Sequence, residues 1–247
     1  SKAIPKDNNY IFVGLESHLQ NTCAITRCFS NHFVSKKELL CKAASYHDLL
    51  KAQNINPDAL NSKQSLFPRH AQLPDYMLDP AFNEFELDPE RRVENWNNYY
   101  VLNLVRLHHS GFNYYQLFDK GDFLYETGNP QEEFQNFVTD WYALMTADWL
   151  DSRIIECMFH AREIPSLVDL GVHSEVDLQV FGENSFRIVQ EGILISRAKL
   201  SYDYVVAPRE KINEILRVKK KQEKKFALLD YLNKLEIKSQ KVQLIES

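Results

Sequence analysis

Apolar residues recur at helical spacing through most of the first 165 positions. In the stretch from Val13 to Cys28, Leu15, Leu19 and Thr22 lie three to four positions from His18, which turns that histidine inward. Lys36 to Ala52 predicts a second helix with Leu39, Leu40, Ala43, Ala44 and Leu50 as its buried stripe. His47-Asp48 falls near its C-terminal end, before Asn54-Ile55-Asn56-Pro57 breaks the pattern. Pro57, Pro68, Pro74, Pro80 and Pro89 exclude a long helix from 54 to 93 and put His70 on a short turn. Helical spacing resumes from Glu94 to His109, with Trp96, Tyr100, Leu104 and Leu107 on one side and Gly111 as a stop. The longest helical stretch runs from Glu132 to Arg162 and carries Asp148 in its apolar middle.

After Pro165 the period shifts toward two. Val176–Phe181 and Ser185–Val189 flank the turn Gly182-Glu183-Asn184, and Tyr202–Val206 adds a third apolar segment. Pro208 to about Leu235 is again helical, with Ile212, Ile215, Leu216 and Val218 ahead of the basic run Lys219–Lys225. The expected fold is mainly α: a helical bundle with a small antiparallel β element near the C-terminus and a terminal helix. Residues 1–165 form the expected core domain. Residues 166–247 form a small β element and basic helix packed on it or extending from it.

With 247 residues and 44% hydrophobic content, the chain can bury a sizeable core. A net charge of −5 argues against a globally basic nucleic-acid coat, although a local metal site would add positive charge. No apolar run approaches the roughly 18 residues of a membrane span, and no signal-peptide core opens the chain, so a cytoplasmic location is expected. Cys23, Cys28, Cys41 and Cys157 contain no C-x-x-C pair and read as reduced, buried thiols.

The chemistry lies in one ordered set: His18, His47-Asp48, His70, the adjacent pair His108-His109, and Asp148 in Ala147-Asp148-Trp149. Imidazole is the commonest protein metal ligand and a carboxylate can bridge two ions, so this set can hold two divalent cations about 3.5–4 Å apart. Asp148 on its apolar segment would be costly to bury unpaired, and a metal would compensate it. Adjacent histidines on a continuous helix point about 100° apart, so His108 and His109 can serve one ion only at a helix end. Each residue also has a structural reading. A lone histidine is more often a hydrogen-bonded structural group, and Asp140, Asp148 and Asp151 could all be partners of Lys or Arg. Trp96, Trp141 and Trp149 fit core packing better than base stacking. Tyr114, with Tyr115, is the better stacking candidate in the turn after the histidine pair. The lysine run reads first as a solvated helix face, and His32, His160 and His173 fall outside the pattern.

His18-Leu19-x-x-Thr22, His47-Asp48-Leu49-Leu50-Lys51, Arg69-His70, His108-His109 and Ala147-Asp148-Trp149-x-x-Ser152 together resemble the HD nuclease domain of CRISPR type I interference systems, within the HD phosphohydrolase superfamily. The resemblance spans residues 13 to 153. It implies that His18, His47, Asp48 and Asp148 hold one ion, that Asp48, His70, His108 and His109 hold another, and that Asp48 bridges them. Imidazole-rich sites suit Mn, Fe, Co, Ni or Zn, so two divalent transition-metal ions are the implied cofactors. By the same resemblance Lys51 would reach a phosphate oxygen, with Leu50 where the family has Gly. Asp48 and Lys51 are then the implied catalytic pair, and Lys51, Arg69, Tyr114 and Ser152 the substrate-binding candidates.

The implied activity is metal-dependent hydrolysis of single-stranded DNA in CRISPR antiviral interference. No G-x-x-x-x-G-K-[ST] motif is present, so the implied partners are a separate helicase and an RNA-guided effector complex. An HD phosphohydrolase of nucleotides or cyclic dinucleotides would use the same metal chemistry, and a catalytically silent HD scaffold would recruit a partner through the basic helix. Loss of a ligand would mark the scaffold; none is lost in this sequence.

Overall fold

The computed structural model describes residues 1–29, 34–68, 70–71, 92–109, 130–160, 177–180, 185–189 and 198–246. Among them the helices are α1 (Leu15–Cys28), α2 (Lys37–Tyr46), α3 (Arg92–Leu107), α4 (Pro130–His160), α5 (Arg209–Leu216) and α6 (Lys221–Asn233). The strands are β1 (Lys2–Lys6), β2 (Asn9–Val13), β3 (Asp177–Val180), β4 (Ser185–Val189), β5 (Lys199–Pro208) and β6 (Lys238–Glu246). The fold is mainly helical with an accompanying sheet, as the periodicity requires. No helix among the described residues is long and apolar enough to cross a membrane.

The sheet is larger than the sequence suggests. Its strand order is β1-β2-β5-β6-β4-β3, with β4 and β6 parallel and the other pairs antiparallel. The expected β3–β4 hairpin and β5 are joined by an N-terminal hairpin, turned at Asp7 with φ 51°, and by β6, which follows the helix expected to be terminal. The single helix expected from Pro208 to Leu235 is instead the pair α5 and α6, broken at Val218–Lys220.

Side chains of β2 alternate between two cores. Ile11 and Val13 join α1 to α4 in the main cluster with Ile25, Leu104 and Leu144, while Tyr10 and Phe12 face Ile212, Ile215 and Leu228 of α5 and α6. At β2 the sheet is therefore covered by helices on both faces, and the strand is buried from Tyr10 to Val13. Cys23 of α1 and Cys41 of α2 form a disulfide across this helix pair, which corrects the expectation of four reduced thiols; Cys28 and Cys157 stay outside any disulfide.

Where β2 ends, α1 takes over its pairing with β5. Val13 is the last β2 residue in register, opposite Tyr204. Gly14 N–H then donates to the Asp203 carbonyl at 2.8 Å, and Asp203 N–H donates to Ser17 Oγ at 2.9 Å. The Asn21 amide donates to the Ser201 carbonyl at 3.0 Å and accepts from Ser201 N–H at 3.1 Å. A Cβ at Gly14 would sit 3.2 Å from the Asp203 carbonyl, so glycine permits the close approach. These bonds satisfy an otherwise open strand edge and fix the rotation of α1, which aims His18 at the interior. Asn21→Ala leaves both Ser201 backbone groups without their partner in a part-buried seam and is expected to cost about 1 kcal/mol, read as a lower urea midpoint at unchanged slope.

Candidate metal centre

Four elements converge on Asp48. Helix α2 ends at Tyr46, and His47-Asp48 make the bend into a 3-10 turn, Leu49–Ala52. Helix α3 ends at Leu107, with the Trp141 indole N–H donating to the Leu107 carbonyl at 2.8 Å, and His108-His109 follow directly. The condition placed on the adjacent pair is met: both histidines lie past a helix end. His18 comes from the first turn of α1 and Asp148 from the middle of α4.

The ligand atoms form two groups that share Asp48: His18, His47, Asp48 and Asp148, and Asp48, His70, His108 and His109, each within 4.8 Å of one another. Oδ2 of Asp48 lies 3.0 Å from His18 Nε2 and 3.4 Å from His47 Nε2. Oδ1 faces the other way, 3.4 Å from His70 Nε2 and 3.5 Å from His108 Nε2. Asp148 Oδ1 closes the first group at 3.2 Å from His18 and 3.5 Å from His47. Ligand atoms on one ion with bonds of about 2.1 Å sit about 3.0–3.4 Å apart in octahedral or tetrahedral arrangements, which these separations match.

Tautomers are set from outside the cluster. His47 Nδ1 donates to the Ala44 carbonyl at 2.8 Å, His70 Nδ1 to Phe67 at 2.5 Å and His108 Nδ1 to Val105 at 2.6 Å. Each leaves Nε2 with a lone pair aimed inward. Buried atoms His47 Nε2, His108 Nε2 and Asp48 Oδ1 have no hydrogen-bond partner. Buried polar atoms are rarely left this way, and a divalent cation between them satisfies all three. The cluster can therefore hold a divalent metal ion.

His18 is held differently. Its Nδ1 meets Asp151 Oδ2 at 2.6 Å, and the Tyr202 hydroxyl donates to Asp151 Oδ1 at 2.6 Å. All three side chains are buried. Asp151 and Tyr202 were missed in the sequence, where Asp151 reads as a partner of Lys or Arg; its place one helical turn after Asp148 on the same face of α4 is the signal that could have found it. Asp140 is held chiefly by hydrogen bonds: it accepts from the backbone N–H groups of Ser35 and Lys36 at 2.7 and 2.9 Å, ahead of α2, and from the Tyr100 hydroxyl at 2.6 Å.

Lys51 forms an ion pair with Asp48 and lies 5.8 Å from the Phe67 ring centroid. The buried Leu50 side chain takes the position where the resembled family has Gly. Ser152 sits one turn beyond Asp148, and its backbone carbonyl accepts from Lys2 Nζ at 3.4 Å. Arg69, Tyr114, Tyr115, His32 and His173 lie outside the described residues.

No protein-family model, curated protein or solved structure matches this chain. A helical chain with a buried His/Asp cluster is compatible with an HD-type fold and with a metal-dependent hydrolase.

Charge around the cluster is uneven. Burial disfavours the charged form of His18, but hydrogen bonds to Asp148, Asp151 and Asp48 outweigh it and raise the pKa to about 10. Partial desolvation of its ring and the neighbouring His108 lower His109 to about 4, and burial also lowers His70. Burial opposes the charge of Asp48 and Asp148, yet the imidazoles around them, with Lys51 beside Asp48, hold both well below the usual carboxylate range. With the His18 pKa raised in the folded state, its proton-linked stabilisation of the metal-free chain is complete below about pH 6.5 and is lost as pH rises through about 10. A metal must displace that proton, so affinity measured by calorimetry is expected to rise about tenfold per pH unit between pH 7 and 9, with proton release. Asp151→Asn is expected to weaken metal binding about 10–100-fold, and Tyr202→Phe less, at unchanged helical circular dichroism.

Proposed function

We propose that this chain is a metal-dependent nuclease that hydrolyses phosphodiester bonds of single-stranded DNA, working beside a separate helicase and RNA-guided effector complex in CRISPR-type antiviral interference. The observation that carries the reading is the sharing of Asp48 by two four-residue groups, one oxygen turned to each. Paired sites of this kind, filled by two divalent ions of the Mn, Fe, Co, Ni or Zn class, supply charge against the phosphodiester oxygens and acidify a water for in-line attack.

The chain's own residues divide the work. His18, His47, Asp48 and Asp148 form the buried group, with Asp148 the most open at 3% exposure. The second group contains half-buried His70 and exposed His109, so substrate enters on that side. Lys51, poised on Asp48 at the start of the 3-10 turn, would donate from Nζ to a non-bridging phosphate oxygen as a point charge. Asp151, through its hydrogen bond to Nδ1, keeps the His18 ring aimed at the centre.

Purified chain incubated with circular single-stranded DNA across several divalent metals is expected to cut the circle, and Asp48→Ala to abolish cutting. Turnover of dNTPs without cutting of the circle would move the assignment to a nucleotide phosphohydrolase. Inactivity on both substrates with no bound metal would leave the scaffold. Lys51→Ala is expected to lower kcat/KM on DNA about 10²-fold while metal content stays at the wild-type level; equal loss of metal would instead assign Lys51 to the integrity of the centre.

A further inference from the structure

Beside the centre lies a cavity of about 420 Å³ between the β2–β5 face and the C-terminal end of α6. Two of its lining residues are each tied to a ligand: Lys51 pairs with Asp48, and the Phe67 carbonyl accepts from His70 Nδ1. Lys51 and Phe67 thus join the cavity to the centre, with Lys51 Nζ facing the Phe67 ring. The rest of the lining is mainly apolar, with Phe12, Ile55 and Leu232, while Ser1, Lys2, Asp203 and the exposed Asn233 bring polar groups to it. Helix α6 is fixed over this space by ion pairing of buried Lys224 with Asp58 and by Lys225 donating to the Gln53 carbonyl.

The occupant must suit both ends. The Lys51 end is cationic and would be more so with metal bound, so it takes an anion. The body takes a flat apolar group that can lie against aromatic rings, and Asp203 and Asn233 suit a group with donors at its edge. The volume falls within the range of small-molecule sites, roughly 300–1,000 Å³. Resting on the nuclease reading above, we infer that this cavity receives the nucleobase of the nucleotide whose phosphate lies at the metal centre. Base stacking on aromatic side chains tolerates every base, so the site would hold single-stranded DNA in register without reading its sequence.

Calorimetric titration of the full chain with Mn²⁺ tests this, using deoxyadenosine 5′-monophosphate, deoxyadenosine and 2-deoxyribose 5-phosphate as probes. Leu232→Trp fills the cavity from α6, and Asn233→Trp does so from an exposed position that leaves the core untouched. Wild type is expected to bind the nucleotide at least about tenfold more tightly than the sugar phosphate. Either tryptophan variant should reduce that ratio below about threefold while the affinity for the sugar phosphate is unchanged. Equal wild-type affinity for nucleotide and sugar phosphate, or a ratio untouched by both variants, overturns the inference even if DNA is cut. Binding of deoxyadenosine that is lost in the variants, with no binding of the sugar phosphate, keeps the base site and overturns the phosphate reading of the centre. Binding of none of the three overturns both.

Discussion

A fully buried carboxylate organises this molecule. Asp48 lies at the junction of the helical layers with no exposure, where an unpaired charge would cost several kcal/mol or more. Its neighbours answer that cost from every side: imidazoles from α1, from the ends of α2 and α3 and from His70, and the ammonium of Lys51. Even so, Oδ1 is left without a hydrogen bond, facing two ring nitrogens that are themselves acceptors. A bundle built only for stability would fill this space with apolar side chains. The arrangement makes sense as a receptor for positive charge.

The same local device recurs at three ligands. His47, His70 and His108 each donate from Nδ1 to the carbonyl three residues earlier, at Ala44, Phe67 and Val105. At α2 and α3 the last carbonyls lack intrahelical partners, and an imidazole satisfies one while its other nitrogen turns to the centre. For His47 and His108, helix termination and ligand orientation are thus one event. His18, in the first turn of α1, uses Asp151 and Tyr202 instead.

Much of the helical layer was legible because its signals are local. Apolar spacing located α1, α3 and α4 to within two residues, and Gly111 marked the stop beside His108-His109; α2 ends at Tyr46, six residues before the expected Ala52, because His47-Asp48 bend the chain into a 3-10 turn. The missing strands fail that test for physical reasons. β6 begins Lys238-Ser239-Gln240-Lys241 and shows no apolar run until Val242; it is a strand because β5 and β4 offer it backbone partners. β2 reads as a short continuous apolar run that merges into α1, since it is buried on both faces. The ordered histidines and Asp148 stood out through their neighbours in sequence. Asp151 did not, since the partner that explains it, Tyr202, is 51 residues away. Lys224 likewise reads as part of a solvated run, and only the fold shows it buried against Asp58.

The seam between α1 and β5 has a further consequence, in the order of assembly. Every ligand of the centre lies at or before residue 148, so a chain made from its N-terminus has synthesised them all long before β5 appears. Until then β2 has no partner on one side, and the bonds of Asn21 to Ser201, 180 positions apart, cannot close. Loop closure of that length is a late and slow step in folding. The nascent chain therefore carries its imidazoles on an unanchored helix layer, and the geometry that distinguishes one metal from another is completed only when the last third of the chain has docked.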